Sequence, residues 1–414
     1  MSNPSQSVMV VNCGSSSIKL ALYSSEDSVT PCITALGQRL GSDSASLSIK
    51  GDVQFSSQGN LSHQEALSLF IEQCATFINN VVGIGHRVVH GGETFSESIL
   101  LDTQTYDTLK TLNELAPLHN PINLMGIKLC EELLPNIPNV AVFDTAFHQT
   151  LAPEVYLYAV PYQWYTDYGV RRYGFHGTSF RYLTDAAAER LQRPKQDLNI
   201  LIAHLGNGCS ACAIRQGISV DTTMGLTPLE GLVMGTRSGD IGAGVLGHVA
   251  AINDHSITEM LATLNKESGL LGLSSGFSND MRTLLQAESE GDISAARAID
   301  VFCFRAARHL AALSVNLPSI DAIVFSGGIG EHSAQVRQRI MRHWQSALVT
   351  IDDELNEQHG NEIGQISRNE PTNSSNDQPK LPVILVIATD EEKMIAADTY
   401  QIISSSFSNH KARS

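Results

Sequence analysis

Residues 8–23, VMVVNCGSSSIKLALY, pass from an apolar stretch through a Gly/Ser turn into an alternating stretch. Residues 199–214, NILIAHLGNGCSACAI, repeat that grammar. Each segment predicts a β-hairpin whose tight turn carries small polar residues. A polar residue closes the first strand in both, Asn12 in one and His204 in the other. Two such copies predict a duplicated α/β chain with a cleft between its halves. Generic Gly/Ser turns shared by chance would give the same pair, and spacing alone does not separate the two readings.

The rest of the pattern alternates strand and helix. Positions 64–79 place Leu67, Phe70, Ile71, Cys74, Phe77 and Ile78 on one helical face. The segment 81–92, VVGIGHRVVHGG, is a short buried strand followed by glycines. A helix over 121–134 is expected, with Asn120 as N-cap and Pro121 at its first position. The segment 139–148 reads as an apolar strand ending in Asp144, 299–313 as an amphipathic helix, and 321–332 as a strand, Gly-rich turn and helix start. Near the end, 382–389 is a buried strand. It leads into a capping box with Thr389 at the N-cap and Glu392 at N3. Segment 367–380 has no apolar residue except proline and reads as a surface loop; the tail from Ser404 reads the same way.

Composition narrows the class. The 414 residues hold 43 Asp+Glu against 27 Lys+Arg, a net charge of −16, and 42% are hydrophobic. The length allows about two to four domains. Charged residues make up 17%, below the usual roughly 25%, which excludes a disordered polyelectrolyte. An acidic surface argues against nucleic acid or anionic membrane as partners. The seven cysteines are scattered, unlike a disulfide framework. Cys209 and Cys212 have redox spacing, but their alternating apolar setting favours buried strand cysteines. The N-terminus lacks a signal-peptide pattern, and no apolar run reaches the ~20 residues of a membrane span. A cytoplasmic location is expected.

Several strand ends carry chemistry: Asn12, Arg87, Asp144, His204 and the turn at Gly327. Open α/β sheets bind ligands beyond the carboxyl ends of their strands. The turns Gly206-Asn207-Gly208 and Gly327-Gly328-Ile329-Gly330 can form anion-binding nests, although either alone could be an ordinary loop. Neither matches the P-loop or dinucleotide fingerprint. Lys19 follows the first hairpin turn, Arg87 and Arg237 are flanked by glycines and Arg282 follows Asp280-Met281, and a guanidinium suits carboxylate or phosphate. His86, His90, His119, His148, His176 and His204 lie nearby. Their spacing fits no zinc motif, so hydrogen bonding to phosphoryl oxygens is the more economical role. The serines at 15–17 sit in no nucleophile elbow and read as hydroxyl donors.

In order, NCGSSSIK, GHRVVHGG, APLHNP, FDTAFH, YGFHGTS, HLGNG, MGTRSGD and GGIGE make the chain resemble the acetate kinase family from Val8 to about Tyr400. The resemblance implies two duplicated ribonuclease-H-like halves, residues 1–147 with 389–414 and residues 148–388. It also implies reversible transfer of the γ-phosphoryl of ATP to acetate, giving acetyl phosphate and ADP, with Mg2+ (Mn2+ as an alternative) and a homodimer. A carboxylate acceptor is already ionised at neutral pH, so the implied work is positioning and charge stabilisation rather than base catalysis.

The family pattern assigns Arg87 to the acetate carboxylate or phosphoryl group, and Arg237 and His176 to the transferring phosphoryl group. Asp144 is the orienting carboxylate, with His119 beside it. Asn12 and Glu391 are assigned to the metal. Ser15, Ser17 and Lys19, then His204, Leu205, Gly206, Asn207 and Gly208, then Gly328, Ile329, Gly330, Glu331 and His332 line the nucleotide phosphates. Asp280, Met281 and Arg282 fall near the adenosine. Val89, Leu118, Phe175 and Pro228 would enclose the acid's methyl group, and Val89 favours acetate over propionate. The sequence departs from the pattern at His332, where the family has Asn, and at Asp390 and Lys393 around Glu391. A short-chain acid kinase and a noncatalytic, actin-like nucleotide-binding protein stand as alternatives.

Overall fold

The computed structural model describes residues 6–24, 30–344, 349–368 and 381–411. Its contacts divide the chain into one unit of residues 1–147 with 390–414 and a second of residues 148–389.

Among the described residues the first unit is built on eight strands: β1 Ser7–Gly14, β2 Ser17–Ser24, β3 Ile33–Gln38, β4 Ser46–Gly51, β5 Phe55–Gln58, β6 Val81–Val88, β7 Ile99–Leu100 and β8 Asn139–Phe143. Their order is β5-β4-β3-β2-β1-β6-β8-β7. The first predicted hairpin is β1 against β2, antiparallel with Asn12 opposite Lys19. β6 and β8 then add in parallel, Val11 beside His86 and Arg87 beside Val142.

Alternation along these strands decides what covers each face. Met9, Val11, Cys13, Ile18, Leu20 and Leu22 pack with Ala66, Leu67 and Phe70 of the helix His63–Gln73. Val8, Val10, Ala21 and Tyr23 pack with Ile395, Ala396 and Ile403 of the helix Glu391–Lys411. That C-terminal helix lies close on β6 because Gly85 has no side chain: a Cβ there would sit 2.7 Å from Ile395 Cγ2. This close approach brings the helix's acidic first turn towards the ends of β1 and β6.

The second unit holds β9 Asn199–Leu205, β10 Cys209–Arg215, β11 Ile218–Thr222, β12 Ala322–Ser326 and β13 Val383–Val386, ordered β11-β10-β9-β12-β13. β9 and β10 are the second predicted hairpin. A hairpin, a third antiparallel strand and two parallel strands therefore occur twice, as β3-β2-β1-β6-β8 and as β11-β10-β9-β12-β13. The fold is α/β with duplicated ribonuclease-H-like units.

Several predicted boundaries move for local reasons. The helix Asn120–Leu133 is N-capped by His119, because the Asn120 side chain is spent elsewhere: it accepts from His90 N and donates to His90 O. The C-terminal helix is capped by Asp390, whose Oδ1 accepts from Lys393 N at 2.9 Å, rather than by Thr389. It continues through residue 411, so residues 404–411 are helix and not loop, and the rest of the predicted tail lies outside the described residues. The amphipathic helix begins at Ile293, where Asp292 accepts from Ser294 N and Ala295 N. Predicted helix 64–79 breaks at Cys74 into His63–Gln73 and Ala75–Ile78. Most of the loop predicted over 367–380 lies outside the described residues. All seven cysteines are free. Cys209 and Cys212 are buried, and burial pushes the Cys209 thiol up to about 12 and raises Cys212, so neither is a thiolate at neutral pH.

Candidate functional site

In the first unit, the site grows from the carboxyl ends of β1, β6 and β8. Arg87 and Asp144 meet as a fork: Arg87 Nε donates to Asp144 Oδ1 at 3.0 Å and Nη2 donates to Oδ2 at 2.6 Å. Asp144 is 1% exposed and Arg87 22%, so the fork presents one edge outward. Burial raises the Asp144 carboxyl against the pull of Arg87. Burial also works against the Arg87 charge, but Asp144, Glu391 and Glu392 outweigh it and hold the guanidinium charged. Arg87 Nε lies 3.7 Å from Glu391 Oε2, and Lys19 Nζ lies 3.8 Å from Glu392 Oε1. Asn12, one strand from Arg87, and Glu391 supply hard oxygen donors. Among the described residues no three His, Cys, Asp or Glu side chains form a metal-binding cluster. A cation held here would therefore keep other ligands besides protein.

Buried amides that sequence reading missed hold this region in shape. Asn123 Oδ1 accepts from Val89 N and its Nδ2 donates to Cys13 O, tying the end of β1 to the loop after β6. Thr145 Oγ1 accepts from Gly91 N. Both residues lie in or beside the segments APLHNP and FDTAFH, but Asn and Thr there carry no chemical signature apart from their partners. Val89 is buried, whereas Leu118 is 61% exposed. Ser15 is exposed and Ser17 half-buried at the hairpin turn. His119 occupies the N-cap position of the helix Asn120–Leu133.

Two histidines leave the candidate set. His86 Nε2 bonds Asn139 Oδ1 at 2.7 Å, and His148 bonds Ser219 Oγ and Phe175 O. Burial pushes each pKa down to about 4, so both are neutral core residues.

In the second unit, His176 is held at φ 58° at the N-cap of the helix Gly177–Arg190. Six other non-glycine residues among those described share this left-handed backbone, so it is the position of His176 at the helix start that places its ring. Its ring stands 4.5 Å from that of His204. A Cβ on Gly208 would lie 3.6 Å from His176 Nε2 and 3.9 Å from Arg237 Nη1, so the second hairpin's turn is flanked by both groups. Arg237 Nη1 donates to Pro228 O at 3.0 Å, bringing those two predicted residues together. The turn is braced by Gly235 N donating to Asn207 O and by Asn279 Nδ2 donating to Asn207 Oδ1. Leu205 and Phe175 are buried.

The glycines after β12 open the short helix Gly327–His332. Glu331 acts on its own turn: Oε1 accepts from Gly327 N at 2.9 Å and from Thr389 N at 3.2 Å. Beneath it, buried Arg337 donates to Gly330 O and Glu331 O, another positioning contact invisible to sequence reading. Gly328 is exposed and Ile329 half-buried, and the His332 ring meets His359 edge-on. Asp280 caps the helix Met281–Ser289, with Met281 buried and Arg282 89% exposed beside Asp280.

The strand-end arginines, histidines and glycine turns suit anionic phosphoryl groups, and the chain is a phosphotransferase. A profile of the Acetokinase family matches residues 7–397, and the chain belongs to that family, whose members transfer phosphoryl groups to a carboxyl acceptor. It is 46% identical over 403 residues to an acetate kinase of Pseudomonas aeruginosa, covering 97% of this chain and 100% of that one. It is 43% identical over 407 residues to a propionate kinase of Salmonella typhimurium, covering 95% and 96%. Its fold matches the crystal structure of a propionate kinase from Francisella tularensis with a TM-score of 0.89 at 38% identity, covering 96% of this chain and 100% of that one. No helix among the described residues is long and apolar enough to cross a membrane.

Proposed function

We propose that the protein is an acetate kinase, reversibly transferring the γ-phosphoryl of ATP to acetate to give acetyl phosphate and ADP. The observation that carries the reading is the partly exposed Arg87–Asp144 fork in a chain of the acetokinase family. Arg87 offers its open edge to an anion while Asp144 holds the guanidinium plane, so the residue recognises carboxylate and phosphoryl oxygens bidentately. His176 and Arg237 stabilise charge on the transferring group, and the turns at Gly206–Gly208 and Gly328–Gly330 bind nucleotide phosphates. Asp280 to Arg282 flank the adenosine. Val89 and Leu118 of the first unit, and Phe175 and Pro228 of the second, are the residues proposed to recognise the acid's methyl group. Because the acceptor is an anion already, the residues orient and screen rather than remove a proton.

Asn12 and Glu391 would hold Mg2+. Their hard oxygens fit an ion that takes few protein ligands and keeps water and phosphate oxygens. When bound, Mg2+ neutralises part of the polyphosphate charge.

A homodimer is the proposed assembly. The helix Ala243–Asn253 has no buried residue, and residues 241–253 contain no Asp, Glu, Lys or Arg. A neutral apolar face suits self-association in a chain of net charge −16. Val245→Glu is expected to halve the mass seen by sedimentation; an unchanged mass would exclude this surface. We place the enzyme in the cytoplasm.

The test is ADP formation from ATP with acetate, propionate, butyrate or no acid. The expected result is turnover that requires acid and Mg2+ and has its highest kcat/KM for acetate. A higher value for propionate would make it a propionate kinase. ADP formation independent of acid would sink both readings and favour an actin-like nucleotide-binding protein.

A further inference from the structure

Ser210 and His204 face each other directly across β9 and β10. Ser210 is 0% exposed, and its Oγ lies 2.8 Å from His176 Nδ1. A buried hydroxyl that keeps its proton unpaired is unfavourable, and His176 Nδ1 is the side-chain partner of this one. The proton therefore points to Nδ1, which makes Nδ1 an acceptor and leaves the ring hydrogen on Nε2. Nε2 is the atom on the Gly208 side, 3.6 Å from where a Cβ on Gly208 would stand.

The neighbouring histidine has the same arrangement. Ser179, also 0% exposed, places Oγ 2.9 Å from His204 Nδ1 and 2.7 Å from Thr389 Oγ1. Thr389 donating to Ser179 and Ser179 donating to Nδ1 is one of the two directions this run of hydrogen bonds can take, and it puts the hydrogen of His204 on Nε2. That atom lies on the Gly206 side, 3.9 Å from a Cβ built there. Thr389 is itself held by Glu331, which also accepts from Gly327 N. A single line of hydrogen bonds thus runs from one glycine turn to the histidine beside the other.

We propose that Ser210 and Ser179 are positioning residues that lock His176 and His204 in the Nε2–H tautomer, aiming two neutral donors at the Gly206–Gly208 turn. Neutrality suits rings whose centroids are 4.5 Å apart, since two imidazolium ions at that distance would repel. A neutral Nε2–H also stays a donor as pH rises, when an imidazolium would lose its charge. The bearing of the lock on catalysis rests on the phosphoryl-transfer reading; the tautomers do not.

The experiment is a long-range 1H–15N correlation spectrum of the full chain labelled at histidine, without substrate, at pH 8, with His176→Gln and His204→Gln to assign the rings. Both rings are expected to show the Nε2–H pattern. Ser210→Ala should move His176 towards a tautomer mixture, and Ser210→Thr should restore it. In the coupled assay Ser210→Ala should lower kcat by ~10–100-fold, the range seen when a metal-bound histidine loses the partner that orients it, with KM for ATP within about twofold. Ser179→Ala gives the parallel test on His204 should Ser210→Ala fold poorly. An Nδ1–H or imidazolium pattern at pH 8 in the wild type, or a Ser210→Ala protein with unchanged spectrum and kcat, would overturn the proposal. Absence of turnover with every acid would instead count against the kinase reading, and the spectra would then decide the tautomers on their own.

Discussion

Arg87→Ala tests the first unit's site in both stability and rate. Asp144 is 1% exposed, and Arg87 bonds both of its oxygens. Removing the arginine leaves a buried carboxylate without its counter-charge. Breaking a fully buried pair costs ~3–5 kcal/mol. Arg87 is 22% exposed, and water can enter the vacated space, so about 2 kcal/mol is the expected loss. In a unit of this size that corresponds to a Tm lower by ~4–8 °C.

The pH dependence has a definite sign. The Asp144 carboxyl is already raised in the folded chain by burial, with Arg87 pulling it down. A carboxyl raised above its unfolded value costs stability only where the unfolded chain would ionise it. The cost therefore grows as pH rises from the unfolded carboxylate range through the folded pKa. Without Arg87 the folded value climbs further. The Tm deficit of Arg87→Ala should thus be larger at pH 8 than at pH 5. In the coupled assay, kcat/KM for acetate should fall by about 10²–10³, the loss of one transition-state donor. Arg87→Lys should recover part of the Tm at pH 8 by restoring a charge, but little of the rate, because an ammonium cannot make the fork. Equal deficits at pH 5 and pH 8, or wild-type kcat/KM in Arg87→Ala, would refute the reasoning.

Other perturbations probe separate parts of the chain. His86 and His148 are held neutral with pKa values of about 4. Each should therefore cost stability as pH falls from its unfolded value near 6.5 towards 4, by up to roughly 3 kcal/mol; a pH series of Tm in His86→Leu should show a shallower acid limb than the wild type. Glu331→Ala removes the acceptor of Gly327 N and Thr389 N and should raise KM for ATP about tenfold, whereas Glu331→Gln, which keeps an oxygen, should raise it less; equal effects would mean that charge rather than the hydrogen bonds matters. Val89→Ala should shift the kcat/KM ratio of propionate to acetate upward by ~10-fold, within the ~1–3 kcal/mol a methylene-sized space confers; an unchanged ratio would remove Val89 from the acid pocket.

Local sequence was enough to announce much of this molecule. The two hairpins were legible because alternation and Gly/Ser turns are short-range signals, and the structure places them as β1–β2 and β9–β10. Arg87, Asp144 and the glycine turns were visible at strand ends because strand periodicity marks where each apolar run stops. The same local grammar misjudged residues whose side chains serve distant partners. Asn120 looked like a cap but bonds the His90 backbone, and Thr389 looked like a cap but bonds Ser179. His86 and His148 looked like donors among glycines, yet each is sunk in the core. Only tertiary structure could decide these cases, because a polar side chain's role depends on which groups burial denies to water and which partner then satisfies it. The same reason hid Asn123, Ser179, Ser210 and Arg337, which are ordinary in sequence and acquire meaning from what they touch.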